Sequence, residues 1–243
     1  MLNANELQFR NEQGIFPLIV FKKRTQSFKC IGTTFFINGL GIFVTAKHVI
    51  EDEVDEMIIV LQCLSDNKGV SRIVTNLCIH PYADIAVGLV GPARHPLTAK
   101  LVDYEMAPNC RLSFLRMDNG TSLMGFGYPR IEKTINANLT TFHFLGTWSK
   151  GFVEDFHEKG TAILRNKCYQ TTMRMDSGCS GGPVFKDGCV VGINSSSFEM
   201  TGEEKPISFI TPVEYVLDLQ LPFAEGLLSI RELIERKAIV IAD

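Results

Sequence analysis

No apolar run in this chain approaches the ~20 residues that a membrane-spanning helix needs. Lysines and arginines form no cluster of the kind that tracks a nucleic-acid backbone or an anionic membrane, and 24 basic against 27 acidic residues leave a net charge of −3. Neither nucleic acid nor membrane is therefore expected as a partner. Cys-x-x-Cys pairs and Cys/His clusters at ligand spacing are also missing, so no metal and no cofactor is expected. The seven cysteines are an odd number, and Cys30, Cys63, Cys78, Cys110, Cys168 and Cys189 fall mostly in apolar, strand-like runs. That pattern suits reduced, buried thiols and gives the expectation of a cytoplasmic protein. The first seven residues lack a basic stretch followed by a long apolar core, so they do not read as a signal peptide.

Long helical periodicities are scarce too; what fills the chain is short strands between turn signals. Strands are predicted in the first half over 15–22, 27–37, 41–45, 57–63, 70–80 and 84–90. In the second half they are predicted over 111–115, 122–126, 134–144, 161–170, 183–185, 189–195 and 207–210. Gly91 to Pro96 reads as a connection between lobes, and Lys186-Asp187-Gly188 as a hairpin turn. Many short strands at this spacing imply a sandwich or barrels, and 243 residues suffice for one compact unit or two packed lobes. Near the end, Thr211-Pro212-Val213-Glu214 has capping-box spacing with proline at the first helical position. It predicts a C-terminal helix carrying Val213, Val216 and Leu217, with a second over 224–236. The apolar run 238–242 is expected to pack on the body.

Chemistry concentrates in Gly178-Cys179-Ser180-Gly181-Gly182-Pro183. Glycines reach positive φ and turn neighbouring N–H groups toward one point, and a hydroxyl on the same turn sits beside those donors. That combination is what an acyl-transfer nucleophile with an oxyanion hole requires. A serine hydroxyl also needs a base, and the base an orienting group. Of five histidines, His48 stands where the apolar run 41–45 ends in Thr45-Ala46. His80 and His95 adjoin prolines, His143 lies in an alternating run and His157 in a charged loop, so those four read as structural or solvated. Asp84 is one acid opening an otherwise apolar strand, where an unpaired carboxylate would cost several kcal/mol.

With these residues in view, the chain resembles the trypsin/chymotrypsin-like serine proteases. Thr45-Ala46-Lys47-His48 is similar to the family's Thr-Ala-Ala-His, Asp84-Ile85-Ala86 to its Asp-Ile-Ala, and the hexapeptide to its Gly-x-Ser-Gly-Gly-Pro, all in family order. The resemblance implies an all-β fold of two packed six-stranded antiparallel barrels with a C-terminal helix. Residues 1–95 would form the lobe carrying His48 and Asp84, and residues 96–243 the lobe carrying Ser180. It implies nucleophile Ser180, base His48 and orienting Asp84, with the Gly178 and Ser180 N–H groups as the oxyanion hole.

Cys179 stands where zymogen-activated members carry aspartate, which places the chain nearer the HtrA-like bacterial branch and argues against activation through a newly cut N-terminus. By the same resemblance Arg174 falls at the floor of the primary specificity pocket, and Ser195, Ser196 and Ser197 on the strand that pairs with substrate backbone. The expectation is an intracellular serine endopeptidase acting on restricted protein or peptide substrates, with a regulatory protein partner conceivable. The alternative is a latent or non-catalytic binding module on the same fold.

Overall fold

The computed structural model describes residues 14–63, 69–96, 98–103, 109–136, 139–198 and 206–242. Twelve strands close into two antiparallel barrels. The first uses β1 (Ile15–Lys22), β2 (Ser27–Phe36), β3 (Ile42–Thr45), β4 (Met57–Cys63), β5 (Gly69–Ile79) and β6 (Ala86–Val90), in the order β1-β2-β3-β6-β5-β4. The second uses β7 (Ser122–Asn136), β8 (Leu139–His157), β9 (Cys168–Thr171), β10 (Pro183–Lys186), β11 (Cys189–Phe198) and β12 (Ile207–Pro212), in the order β10-β11-β12-β9-β8-β7. Pairing of β1 with β4, and of β7 with β10, closes each sheet and leaves no free edge. Register shifts at Leu18/Ile19, Val184/Phe185 and Asn194/Ser196 bend the strands at the barrel corners.

The strand that leads into residues 47–50, β3, is buried along its whole length. All four residues of β3 are fully buried, because the strand faces its own barrel on one side and the neighbouring barrel on the other. One apolar cluster runs through both barrels, from Phe35 and Phe43 to Phe126, Tyr128 and Phe185, and on into Ile230, Leu233 and Ile239 of the tail. Each such side chain contributes roughly 1.5–3 kcal/mol on burial, so the interface between barrels is a core in its own right.

Several sequence expectations are revised, among them the strand over 161–170, of which only β9 from Cys168 forms. The long β7–β8 hairpin replaces two short strands, with pairs running from Ser122↔Phe152 to Asn136↔Leu139. Residues 111–115 form no strand and contribute only bridges from Leu112 to Val190 and Ile241. The helix expected after Pro212 is a 3₁₀ segment, Val213–Asp218, without a side-chain cap, because the Thr211 hydroxyl is occupied by Ser195 and Asn166. A small hairpin follows, β13 (Gln220–Phe223) and β14 (Gly226–Ser229). The second helix is shortened to one, α2 (Ile230–Glu235), behind the Ser229/Glu232 capping box. The terminal run packs on the body as expected: Ile239 is buried, and the Ala242 N–H donates to the Leu112 carbonyl at 2.7 Å.

Candidate active site

His48 sits on α1 (Lys47–Ile50), the single turn that β3 runs into. Its ring Nδ1 lies 3.0 and 2.9 Å from the two carboxylate oxygens of Asp84, and its backbone N–H donates to Asp84 Oδ1 at 3.0 Å. The two Nδ1 contacts to one carboxylate fix the tautomer: Nδ1 carries the proton and Nε2 is left as the basic nitrogen. Burial of the ring opposes its charge, but the hydrogen bond and charge of Asp84, aided by Glu51, more than offset this and hold the His48 pKa above its ordinary value.

Asp84 ends the turn between β5 and β6, and the turn explains why the predicted strand starts late. The Asp84 N–H donates to Asn166 Oδ1 at 3.1 Å and the Ile85 N–H to the Ala83 carbonyl at 2.8 Å, so neither joins the ladder. Asn166 is buried between β8 and β9, and its Nδ2 donates to the Lys167 carbonyl and to Thr211 Oγ1. Sequence reasoning missed it, since an asparagine in a polar loop carries no signal of its distant partner.

The turn with Ser180 is tied into the first barrel. The Ser180 carbonyl accepts the Thr33 N–H at 2.9 Å, and the Gly178 carbonyl accepts the Thr33 hydroxyl at 2.8 Å. Gly178 has φ +92°, and a Cβ there would lie 2.6 Å from the Tyr128 carbonyl oxygen, so only glycine fits. The N–H groups of Cys179, Gly181 and Gly182 are bonded within the protein, to the Asp176, Asn194 and Cys179 carbonyls. Those of Gly178 and Ser180 have no protein partner among the described residues, which leaves two donors flanking one engaged N–H. Cys179 points inward: a Cβ on Gly127 of β7 would lie 2.6 Å from its Cα. Burial, with Asp176 nearby, pushes its thiol up to about 12, so it is no nucleophile.

His48, Asp84 and Ser180 line one cleft of about 730 Å³, and His48, Gly178 and Ser180 line a second of about 470 Å³ on the other side of the serine. Ser196 and Ser197 line the larger cleft, half-buried on β11. Ser195 reaches the same cleft but is committed to Thr211, with the two hydroxyls 2.7 Å apart. Arg174, expected at a pocket floor, lines neither of these two clefts. Its side chain is 81% exposed and pairs with Asp176 at 3.2 Å, because it alternates with the buried Met173 and Met175 and so takes the outward side of the stretch.

Two closed six-stranded barrels with a His–Asp pair facing a serine turn define the chymotrypsin-like architecture. The trypsin-like peptidase domain matches residues 32–193, and the chain belongs to that family. It is 29% identical over 201 residues to a probable periplasmic serine endoprotease, DegP-like, of Pseudomonas putida strain W619, covering 81% of this chain and 35% of that protein. A protein of the same description from Pseudomonas savastanoi pv. phaseolicola is 28% identical over 204 residues, with 82% and 35% covered. The chain thus spans about a third of the length of the curated relatives it matches. Among solved structures, Deg5 superposes with a TM-score of 0.62 at 18% identity, covering 93% of this chain and 98% of that one. The HtrA-type protease AlgW with tripeptide also gives 0.62 at 18% identity, covering 98% and 65%. The resemblance read from the three motifs, with its lean toward the HtrA-like branch, is borne out.

The cytoplasmic expectation is corrected, since the relatives are named periplasmic proteins. The inference from unpaired cysteines failed because local environment can keep thiols single in any compartment. Burial pushes Cys110 up to about 12 and Cys30 and Cys168 up to about 11, which removes the thiolate that disulfide exchange requires.

Proposed function

We propose that the chain is a serine endopeptidase working through Ser180, His48 and Asp84, with the Gly178 and Ser180 N–H groups as oxyanion donors. The observation that carries this reading is the bidentate His48–Asp84 contact at 2.9 and 3.0 Å in the cleft that Ser180 also lines.

As Ser180 Oγ bonds to the scissile carbonyl carbon, its proton passes to His48 Nε2, and the carbonyl electron pair moves onto oxygen facing the two N–H donors. Breakage of the C–N bond returns that proton to the leaving amine and leaves an acyl-Ser180. Water then repeats the sequence: its proton goes to His48, its oxygen bonds to the acyl carbon, and Ser180 Oγ leaves with the proton. Asp84 stays ionised and stabilises the transient imidazolium. The substrate is an extended peptide laid beside Ser196 and Ser197 of β11, restricted to few proteins by the cleft and by partners. The names of the relatives support a periplasmic setting.

One observation favours a latent form of the same enzyme. Among the described residues the Ser180 hydroxyl makes no hydrogen bond to His48, so a peptide or partner would complete the pair. Intact-mass labelling with a fluorophosphonate tests both readings. A single adduct, lost in Ser180→Ala and His48→Ala, supports an assembled site. An adduct only with added peptide supports latency, and none under any condition on folded protein rejects the endopeptidase reading.

A further inference from the structure

We infer that His80 is a positioning residue that builds the turn presenting Asp84, and through Asp84 sets the state of His48. The inference rests on the reading of Asp84 as the group that orients His48.

His80 follows the last residue of β5 and is 1% exposed. Its Nδ1 accepts the Ala83 N–H at 2.9 Å and the Tyr82 N–H at 3.4 Å, while its own N–H donates to the Ile85 carbonyl at 3.0 Å. With Asn166 on the Asp84 N–H and the Ala83 carbonyl on that of Ile85, every N–H from Tyr82 to Ile85 is held. Two of these four bonds end on one imidazole nitrogen. Among the described residues His80 Nδ1 is the acceptor that both the Tyr82 and Ala83 N–H groups find, while the nearby Pro81 carbonyl accepts from Lys47 Nζ at 3.3 Å.

The ring is itself clamped. Tyr82 and Tyr215 meet it edge-on with centroids 4.4 and 5.2 Å away. Its Nε2, buried without a hydrogen bond, faces Asp218 Oδ2 at 3.7 Å across the barrel interface. Asp218 and Tyr215 belong to the 3₁₀ segment that follows the second barrel, so the C-terminal segment grips the Asp84 turn through His80. Accepting two N–H groups at Nδ1 requires the neutral Nε2–H tautomer. The charged and titratable groups around the ring are Asp218, which favours its charge, Lys47, which opposes it, and Tyr82 and Tyr215. Lys167, paired with Glu214, stands 5.5 Å from the Tyr215 ring. Burial is the largest influence and holds the ring below its ordinary value, in keeping with an acceptor role.

The experiment compares wild type, His80→Asn and His80→Phe. Asparagine offers an uncharged acceptor for the same N–H groups; phenylalanine fills the space without one. The readouts are the His48 titration by histidine NMR, assigned with His48→Ala, and the fluorophosphonate labelling rate. His80→Asn is expected to keep both near wild type. In His80→Phe the His48 midpoint should fall toward or below about 6.5, as burial outweighs a displaced Asp84, and labelling should drop roughly 10- to 100-fold. A folded His80→Phe with unchanged titration and labelling overturns the inference. If that variant fails to fold, ¹⁵N shifts of wild-type His80 decide: a pyridine-type Nδ1 supports the role, and a protonated Nδ1 overturns it. A wild type that never labels, but whose His48 midpoint moves in His80→Phe, would reject the endopeptidase reading and leave the His80 role standing.

Discussion

The Thr33 hydroxyl donates to the Gly178 carbonyl at 2.8 Å, so a strand of the first barrel sets the peptide that precedes the Ser180 turn. The same oxygen accepts the Tyr128 N–H at 3.1 Å, and the Thr33 carbonyl accepts the Thr45 hydroxyl at 2.9 Å, three residues before His48. One threonine therefore ties together the turn of His48, the turn of Ser180 and the middle of β7. Thr33→Val keeps the shape but removes the donor to the Gly178 carbonyl and the hydroxyl that accepts the Tyr128 N–H. The expected cost is about 1–3 kcal/mol in urea unfolding, with fluorophosphonate labelling slowed roughly 10- to 100-fold. Thr33→Ser should restore most of both; equal behaviour of Val and wild type would show that the hydroxyl positions nothing.

Asn166 serves Asp84 from the opposite side, and its amide does two jobs at once. The oxygen accepts the Asp84 N–H and the nitrogen donates to Thr211 Oγ1 and the Lys167 carbonyl. Asn166→Ala should cost about 1–3 kcal/mol and slow labelling, because the Asp84 N–H loses a buried acceptor. Asn166→Asp should slow labelling further, since it sets a second carboxylate against the Asp84 turn. Stopped-flow labelling on protein shown folded by circular dichroism checks both.

How much of this was legible beforehand follows from range. Thr45 to His48, Asp84 to Ala86 and Gly178 to Pro183 are contiguous patterns whose chemistry is written in neighbours, so they could be read, and the structure brings His48 against Asp84. The strands of the first barrel were read to within two residues at each end, because apolar alternation and turn residues both mark them. The stretch 145–157 was missed as strand, since Gly146 and Gly151 depress the local signal. Their reason lies across the fold, where a Cβ at Gly151 would meet the Met173 backbone at 2.7 Å. Thr33, His80 and Asn166 act on residues 145, 3 and 82 positions away, and only the His80 contact is short-range. Even there the cue was a histidine before a proline, which looks the same in a solvated turn.

Cysteine reactivity should follow burial and not number. With thiols pushed up to about 12, Cys110 and Cys179 carry roughly a thousandth of the thiolate of an ordinary cysteine at pH 8. Native protein treated with a chromogenic disulfide should therefore modify Cys110 and Cys179 only on the timescale of unfolding, and all seven thiols at once in denaturant. Rapid native modification of Cys179, located by peptide mapping, would contradict its packing against Gly127.

The His48–Asp84 pair predicts how both rate and stability depend on pH. In the proposed mechanism the neutral imidazole acts as base, so labelling should rise with pH, with a midpoint above the ordinary value of about 6.5. Asp84→Asn removes the charge that lifts His48 and leaves burial to dominate. The midpoint should then move below that of wild type, and the plateau rate should fall about 10⁴-fold as the tautomer is lost. For stability, a folded pKa raised above the unfolded value means that the ion pair contributes fully below about 6.5 and is lost as pH rises through the folded value. His80 acts in a different window. Its folded value is lowered, so burying the neutral ring contributes above about 6.5 and is lost as pH falls through the folded value. Urea midpoints should decline on both sides of about 6.5, on the alkaline side only while Asp84 is present and, above the carboxylate range in which Glu232 also titrates, on the acid side only while His80 is present. An alkaline decline that persists unchanged in Asp84→Asn would assign it to some other group and remove the pair from the account of both rate and stability.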